Sequence, residues 1–180
     1  MGRYITMPAP PRPIKKHQEF YSSGIFTPSD ALLDAGGVVT VTCYGGGGKG
    51  IYKGQEPNQV YHGAGSGAVV TRIVTITGPV NVIIGSAGTG PGHDGGQTKF
   101  GDLVIAAGGK GGNNAGQASG EGGFPGIPGT TFKTYESPAV NNNTGYRPPD
   151  IPHIVGLDGH DGGGRVGLPG LCIVLWEEWT

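Results

Sequence analysis

Glycine recurs at every third position in two separate stretches of this chain. In "GEGGFPGIPG", residues 120–129, it stands at 120, 123, 126 and 129. In "GLDGHDGGGRVGLPG", residues 156–170, it stands at 156, 159 and 162 and, after a one-residue slip, at 164, 167 and 170. Polyproline II has three residues per turn and rises ~3.1 Å per residue, so this spacing leaves one edge of such a helix without side chains, and ten residues make a rod of roughly 30 Å. The helix has no internal hydrogen bonds, so its amides and carbonyls must be met by neighbouring chain. Bare glycine edges let backbones approach closely enough for N–H···O and Cα–H···O contacts. Collagen needs a repeat unbroken over many triplets, whereas here the register slips after three or four. The pattern therefore predicts short rods bundled into a polyglycine-II-like layer, with a flexible glycine-rich loop as the competing reading. Order is favoured because fixing each backbone costs ~1–2 kcal/mol that only cooperative packing offsets. Pro125, Pro128 and Pro169 also fix φ in advance.

The rest of the chain reads as β. "SSGIFTP" forms a short strand, and "SDALLDAGG" makes one or two helical turns with Ser29 as cap and Gly36 as stop. "GGVVTVTCYG" then alternates, with Val39, Val41 and Cys43 on one face and Val38, Thr40, Thr42 and Tyr44 on the other. "GAVVTRIVTIT", "VNVIIG", "TKFG", "DLVIAA" and "LCIVLWEEW" continue the series, rich in Val, Ile and Thr and bounded by Gly, Pro and Asn. About seven strands without a long helix predict an all-β fold, a small β-sandwich with the polyglycine-II-like helical layer inserted before the last strand. A structureless connection between Ala107 and Leu171 is improbable at that length, which assigns residues 108–170 to the layer, with a polar insertion at 130–155. Residues 1–19 are rich in proline and then basic, and read as an extended N-terminal arm preceding a domain at 20–180; the arm is either a docking segment or a loose terminus.

"SGIFTPSDALLDAGGVVTVTCYGGGGKG", "GPVNVIIGSAGTG", "TKFGDLVIAAGGKGG" and "GLPGLCIVLWEEW", in that order, resemble the glycine-rich domains at the tips of bacteriophage tail fibres and tail adhesins. The resemblance covers roughly residues 20–179 and departs at 130–155, "TTFKTYESPAVNNNTGYRPPDIPHIV", where glycine nearly vanishes. It implies recognition of a bacterial surface glycan or outer-membrane protein by a component of the virion tail tip or fibre. It also implies a homotrimer, and the arm at residues 1–19, which lies outside the resemblance, is expected to hold other tail proteins. No receptor site carries over onto the insertion by matching. The residue types there nonetheless suit recognition, because Tyr and Asn supply contact area and adaptable hydrogen bonds at low entropic cost. The expected receptor-binding residues are Tyr135, Asn141, Asn142, Asn143, Tyr146 and Arg147. A structural reading stands beside this one, in which the chain is a decoration or adaptor protein docked through its arm.

Other chemistry is weaker. Net charge is −1 and the basic residues are scattered, which disfavours nucleic acid. No run reaches the ~18 apolar residues of a membrane span, and the start lacks a secretory apolar core, so assembly in the bacterial cytoplasm without membrane insertion is expected. "GGGGKG" at 45–50 departs from a phosphate-binding loop: Cys43 stands where glycine is needed, and Gly50 where serine or threonine is. "GPGHDG" at 90–95 matches a dinucleotide spacing, but no helix follows to bind pyrophosphate. "GHDGG" occurs twice, at 92–96 and 159–163; His93, Asp94, Asp158, His160 and Asp161 are possible metal ligands or, equally, polar residues of glycine turns. Turn chemistry is the reading adopted, with no metal or cofactor. Nothing places a nucleophile beside a base, so no enzyme is expected. Cys43 and Cys172 each lie in an apolar stretch, as two buried thiols or as a disulfide between neighbouring strands.

Overall fold

A computed structural model of the chain describes residues 12–49, 51–53, 60–62, 67–111 and 168–179. In chain order the elements are β1 (Pro13–Phe20), β2 (Gly24–Phe26), α1 (Asp30–Asp34), β3 (Val38–Tyr44), β4 (Ile51–Lys53) and β5 (Val60–His62). They continue with β6 (Val69–Thr75), β7 (Val80–Ile83), β8 (Thr98–Phe100), β9 (Val104–Ala106) and β10 (Leu171–Trp179). Two four-stranded antiparallel sheets result, ordered β1-β10-β3-β6 and β2-β7-β8-β9, with β4 and β5 as a separate pair.

The period-two alternation of β3 sets the sandwich. Val39, Val41 and Cys43 are buried, as expected for one face of a pleated strand. Opposite them on β10 stand Cys172 and Val174, and on β6 Val70, so three strands present one apolar surface. The second sheet answers with Phe26, Val82, Phe100, Val104 and Ala106, and all these side chains join one core. Phe26 is its centre: its ring lies 5.7 Å from Phe100 and meets Trp176 edge-on at 5.4 Å, arrangements aromatic quadrupoles favour. The all-β sandwich read from the alternation is thus the fold.

α1 closes the core at the end of the sandwich where β10 terminates. Ser29 is extended (φ −73°, ψ 157°) and its Oγ accepts the Leu32 N–H at 3.2 Å, as an N-cap does. That hydroxyl also donates to Glu178 Oε1 at 2.6 Å, and Trp176 Nε1 donates to the same oxygen at 2.9 Å. These two bonds, with Lys16 nearby, hold the Glu178 carboxyl below the usual carboxylate range despite some desolvation. The helix stops where expected. Gly36 and Gly37 both take positive φ and donate back to Leu33 and Leu32, and at Gly37 a Cβ would also strike the Ile76 carbonyl.

One expectation requires correction, and another lies mostly outside the described residues. The boundary after residue 19 falls inside a strand: Pro13–Phe20 pairs along its whole length with β10, from Pro13 opposite Trp179 to Phe20 opposite Cys172. Seven of its eight residues are exposed, so no alternation betrayed it. It is an edge strand, and Pro13, Lys15 and Lys16 are the residue types that blunt such edges against further pairing. Residues 1–11 of the expected arm lie outside the described residues. Close-packed glycine backbone also occurs outside the expected layer at 108–170, beginning at Gly45. Most of that span, 112–167, lies outside the described residues, including the Gly120–Gly129 repeat.

Candidate functional site

β3, β7, β9 and β10 all end or begin at the same end of the sandwich, and glycine-rich backbone continues beyond them there. Residues 45–49 follow β3, 85–89 follow β7, 93–97 lead into β8, 107–111 follow β9, and 168–170 lead into β10. A strand in a sheet has neighbours on two sides only. The segment 45–49 instead bonds to five others. Gly45 N–H donates to Ala68, Gly46 N–H to Gly96, Gly47 N–H to Leu168 and Lys49 N–H to His93, while Gly47 and Gly46 accept from Gly88 and Gly109. These bonds run 2.8–3.0 Å, so six backbone polar groups of this segment, in which Gly45–Gly48 are buried, are met by backbone.

Glycine is required here for space. None of Gly45, Gly46, Gly48, Gly85, Gly95 and Gly108 has positive φ, so a side chain would not strain the backbone. A Cβ at each would instead fall on a neighbouring carbonyl: Ala107 for Gly45, Ser86 for Gly46, Lys110 for Gly48, Gly96 for Gly85, Gly46 for Gly95 and Gly95 for Gly108. The bundle is sealed to the sandwich by Thr98, a fully buried side chain whose Oγ1 accepts the Gly85 N–H at 3.0 Å.

Polar side chains gather at the outer end of these segments. Lys49 Nζ donates to the Thr89 carbonyl at 2.9 Å. Asp94 receives Lys110 Nζ at 2.6 Å on one oxygen and the Gly111 N–H at 2.8 Å on the other. Desolvation pushes the Asp94 carboxyl up, but the Lys110 and Gly111 hydrogen bonds and the charges of Lys110 and His93 outweigh it and hold it below its ordinary value. In the first "GHDGG" copy both Asp94 carboxylate oxygens are thus engaged by the chain itself, at the surface. Among the described residues no group of three His, Cys, Asp or Glu side chains converges as a metal site. The second copy, with Asp158, His160 and Asp161, lies outside the described residues.

The expected receptor-binding residues Tyr135, Asn141, Asn142, Asn143, Tyr146 and Arg147 also lie outside the described residues. The residues flanking their segment do not: Gly111 and Leu168 both belong to the glycine bundle, as does Lys49, which precedes the β4–β5 pair. At the other end of the first sheet β1 begins, with Pro13 opposite Trp179. Beside them a groove of about 460 Å³ is lined by Lys15, Val38, Ile73, Leu175 and Trp179 among others. The sequence signal for the bundle is the pair of glycine runs "GGGGKG" and "GGKGG", which carry no triplet period. The chain matches no protein-family model and no curated protein.

Proposed function

We propose that this chain is the receptor-binding domain of a bacteriophage tail fibre or tail tip, recognising a bacterial surface glycan or outer-membrane protein without catalysing a reaction. One observation carries the reading: β1 begins at one end of the sandwich, and the chain's long excursion, residues 112–167, departs and returns through the glycine bundle at the other. Along the nine residues of β10, at ~3.3 Å each, these ends are separated by about 30 Å. Attachment at one pole and recognition at the other is what an adhesin requires. The bundle is read as polyglycine-II packing, supported by the absence of positive φ in its packed segments, the hydrogen bonds to several neighbours and the carbonyl beneath most of the missing Cβ positions. A platform cross-bonded in this way limits the entropy lost when the segment it carries engages a ligand.

The test is binding of fluorescently labelled protein to intact cells of candidate bacterial hosts, with and without residues 134–150, and with Tyr146→Ala/Arg147→Ala. Binding that is lost in both variants supports the adhesin and its site. A folded wild-type protein that binds none of the susceptible strains overturns it in favour of a structural virion protein held through its N-terminal end.

A further inference from the structure

Cys43 and Cys172 lie 129 residues apart in sequence and directly opposite each other on neighbouring antiparallel strands. Their sulfurs are 3.7 Å apart, both residues are fully buried, and both thiols are free. Whether such a pair can be bridged depends on which kind of cross-strand position it occupies. The hydrogen bonds that extend the β3–β6 ladder settle this: Gly45 N–H donates to Ala68 at one end, and Ile76 N–H to Gly37 at the other. Odd-numbered residues of β3 therefore direct their backbone bonds toward β6 and form the non-hydrogen-bonded positions toward β10. The Thr42 and Thr71 hydroxyls, 2.9 Å apart, agree, since 42 is then a non-hydrogen-bonded position toward β6, where opposed side chains come closest.

Cys43 and Cys172 are accordingly a non-hydrogen-bonded pair, for which Cα atoms sit ~4.5 Å apart, inside the range a disulfide spans. We propose that these residues are a built site for a cross-strand disulfide, formed by exchange with a low-molecular-weight disulfide while the chain is unfolded and sealed in either redox state once the core closes. In the exchange one cysteine thiolate attacks glutathione disulfide, expelling one glutathione thiolate and leaving a mixed disulfide. The second cysteine thiolate attacks the protein sulfur of that bond and expels the other glutathione. Two protein thiols are thereby oxidised, one glutathione disulfide is reduced to two glutathione molecules, and the two protons pass to the departing thiolates. The folded state blocks this route, because neither sulfur is accessible. The contact with Cys43, and then burial, also pushes the Cys172 thiol well up from its ordinary value, so its reactive thiolate is suppressed.

The experiment expresses the full chain in a bacterial cytoplasm with its thiol-reducing enzymes intact and in one lacking them. Each product is denatured and alkylated, its intact mass is measured, and its melting is followed by circular dichroism. The expected oxidised product is monomeric, lighter by two hydrogens and resistant to alkylation, with a midpoint about 10 °C above the reduced form, as closing so long a loop in the unfolded chain implies. The reduced product, incubated folded with glutathione disulfide, keeps both thiols for hours, and a Cys43→Ala/Cys172→Ala variant melts identically from both hosts. A folded product carrying two free thiols from the oxidising cytoplasm overturns the site, as does an oxidised form that melts no higher than the reduced one. Rapid oxidation of the folded reduced protein overturns the sealing.

Discussion

Gly46→Ala offers the sharpest test of the glycine bundle, because the ordinary expectation has the opposite sign. A glycine with negative φ, changed to alanine where space permits, stabilises a protein by about 0.4–1 kcal/mol by restricting the unfolded chain. Gly46 has no positive φ, but a Cβ there would land on the Ser86 carbonyl. To restore an ordinary C···O contact the two segments must part by about 1 Å. Three bonds radiate from this point: Gly46 N–H to Gly96 at 3.0 Å, Gly109 N–H to Gly46 at 2.8 Å, and Gly96 N–H to Ser86 at 2.7 Å. Such a shift carries them beyond hydrogen-bonding distance. Each lost bond costs about 1 kcal/mol, and more where a buried group is left unmet. The net loss is about 3–4 kcal/mol, which for a chain of this size lowers the melting midpoint by about 10 °C. Gly78, where a Cβ meets nothing within 4 Å and φ is not positive, is the control, and Gly78→Ala melts at or above the wild type. The assay is thermal denaturation of both variants by far-ultraviolet circular dichroism. A Gly46→Ala midpoint within a degree or two of wild type would refute the space-based account of the bundle.

Thr98→Val keeps the shape of a fully buried side chain but strands the Gly85 N–H, and costs about 1–3 kcal/mol in urea denaturation. Phe26→Ala empties the centre of the core and costs about 3–5 kcal/mol, with a change in Trp176 fluorescence reporting the lost edge-on contact. Ser29→Ala removes the α1 cap and the shortest bond to Glu178; about 1 kcal/mol is lost, and the Glu178 carboxyl, followed by NMR titration, moves up toward its ordinary value. Asp94 and Glu178 both have folded values below their unfolded ones. The stability they contribute is therefore whole above about pH 4.5 and is lost as pH falls through those lowered values, which acid titration of the melting midpoint measures.

Much of the sandwich was legible because its signals are local. The alternation of Val39, Val41 and Cys43 names the buried face of β3 whatever its neighbours, and Ser29 and Gly36 mark α1 through bonds that close within a few residues. β1 was illegible for the same reason: all of "PIKKHQEF" but Phe20 is exposed, so what makes it a strand is the β10 backbone, more than 150 residues away. β4 and β5, three residues each, carried too short a pattern to read. The glycine runs sit between these cases. The triplet period pointed to glycine packing against backbone, but such a period reports only one bare edge of one helix. Gly45–Gly48 has neighbours all round, and a segment without side chains on any edge has no period to detect. Which carbonyl fills each missing Cβ, and that Cys43 faces Cys172, are decided by strands and segments distant in the chain coming into register, and only the tertiary structure supplies that register.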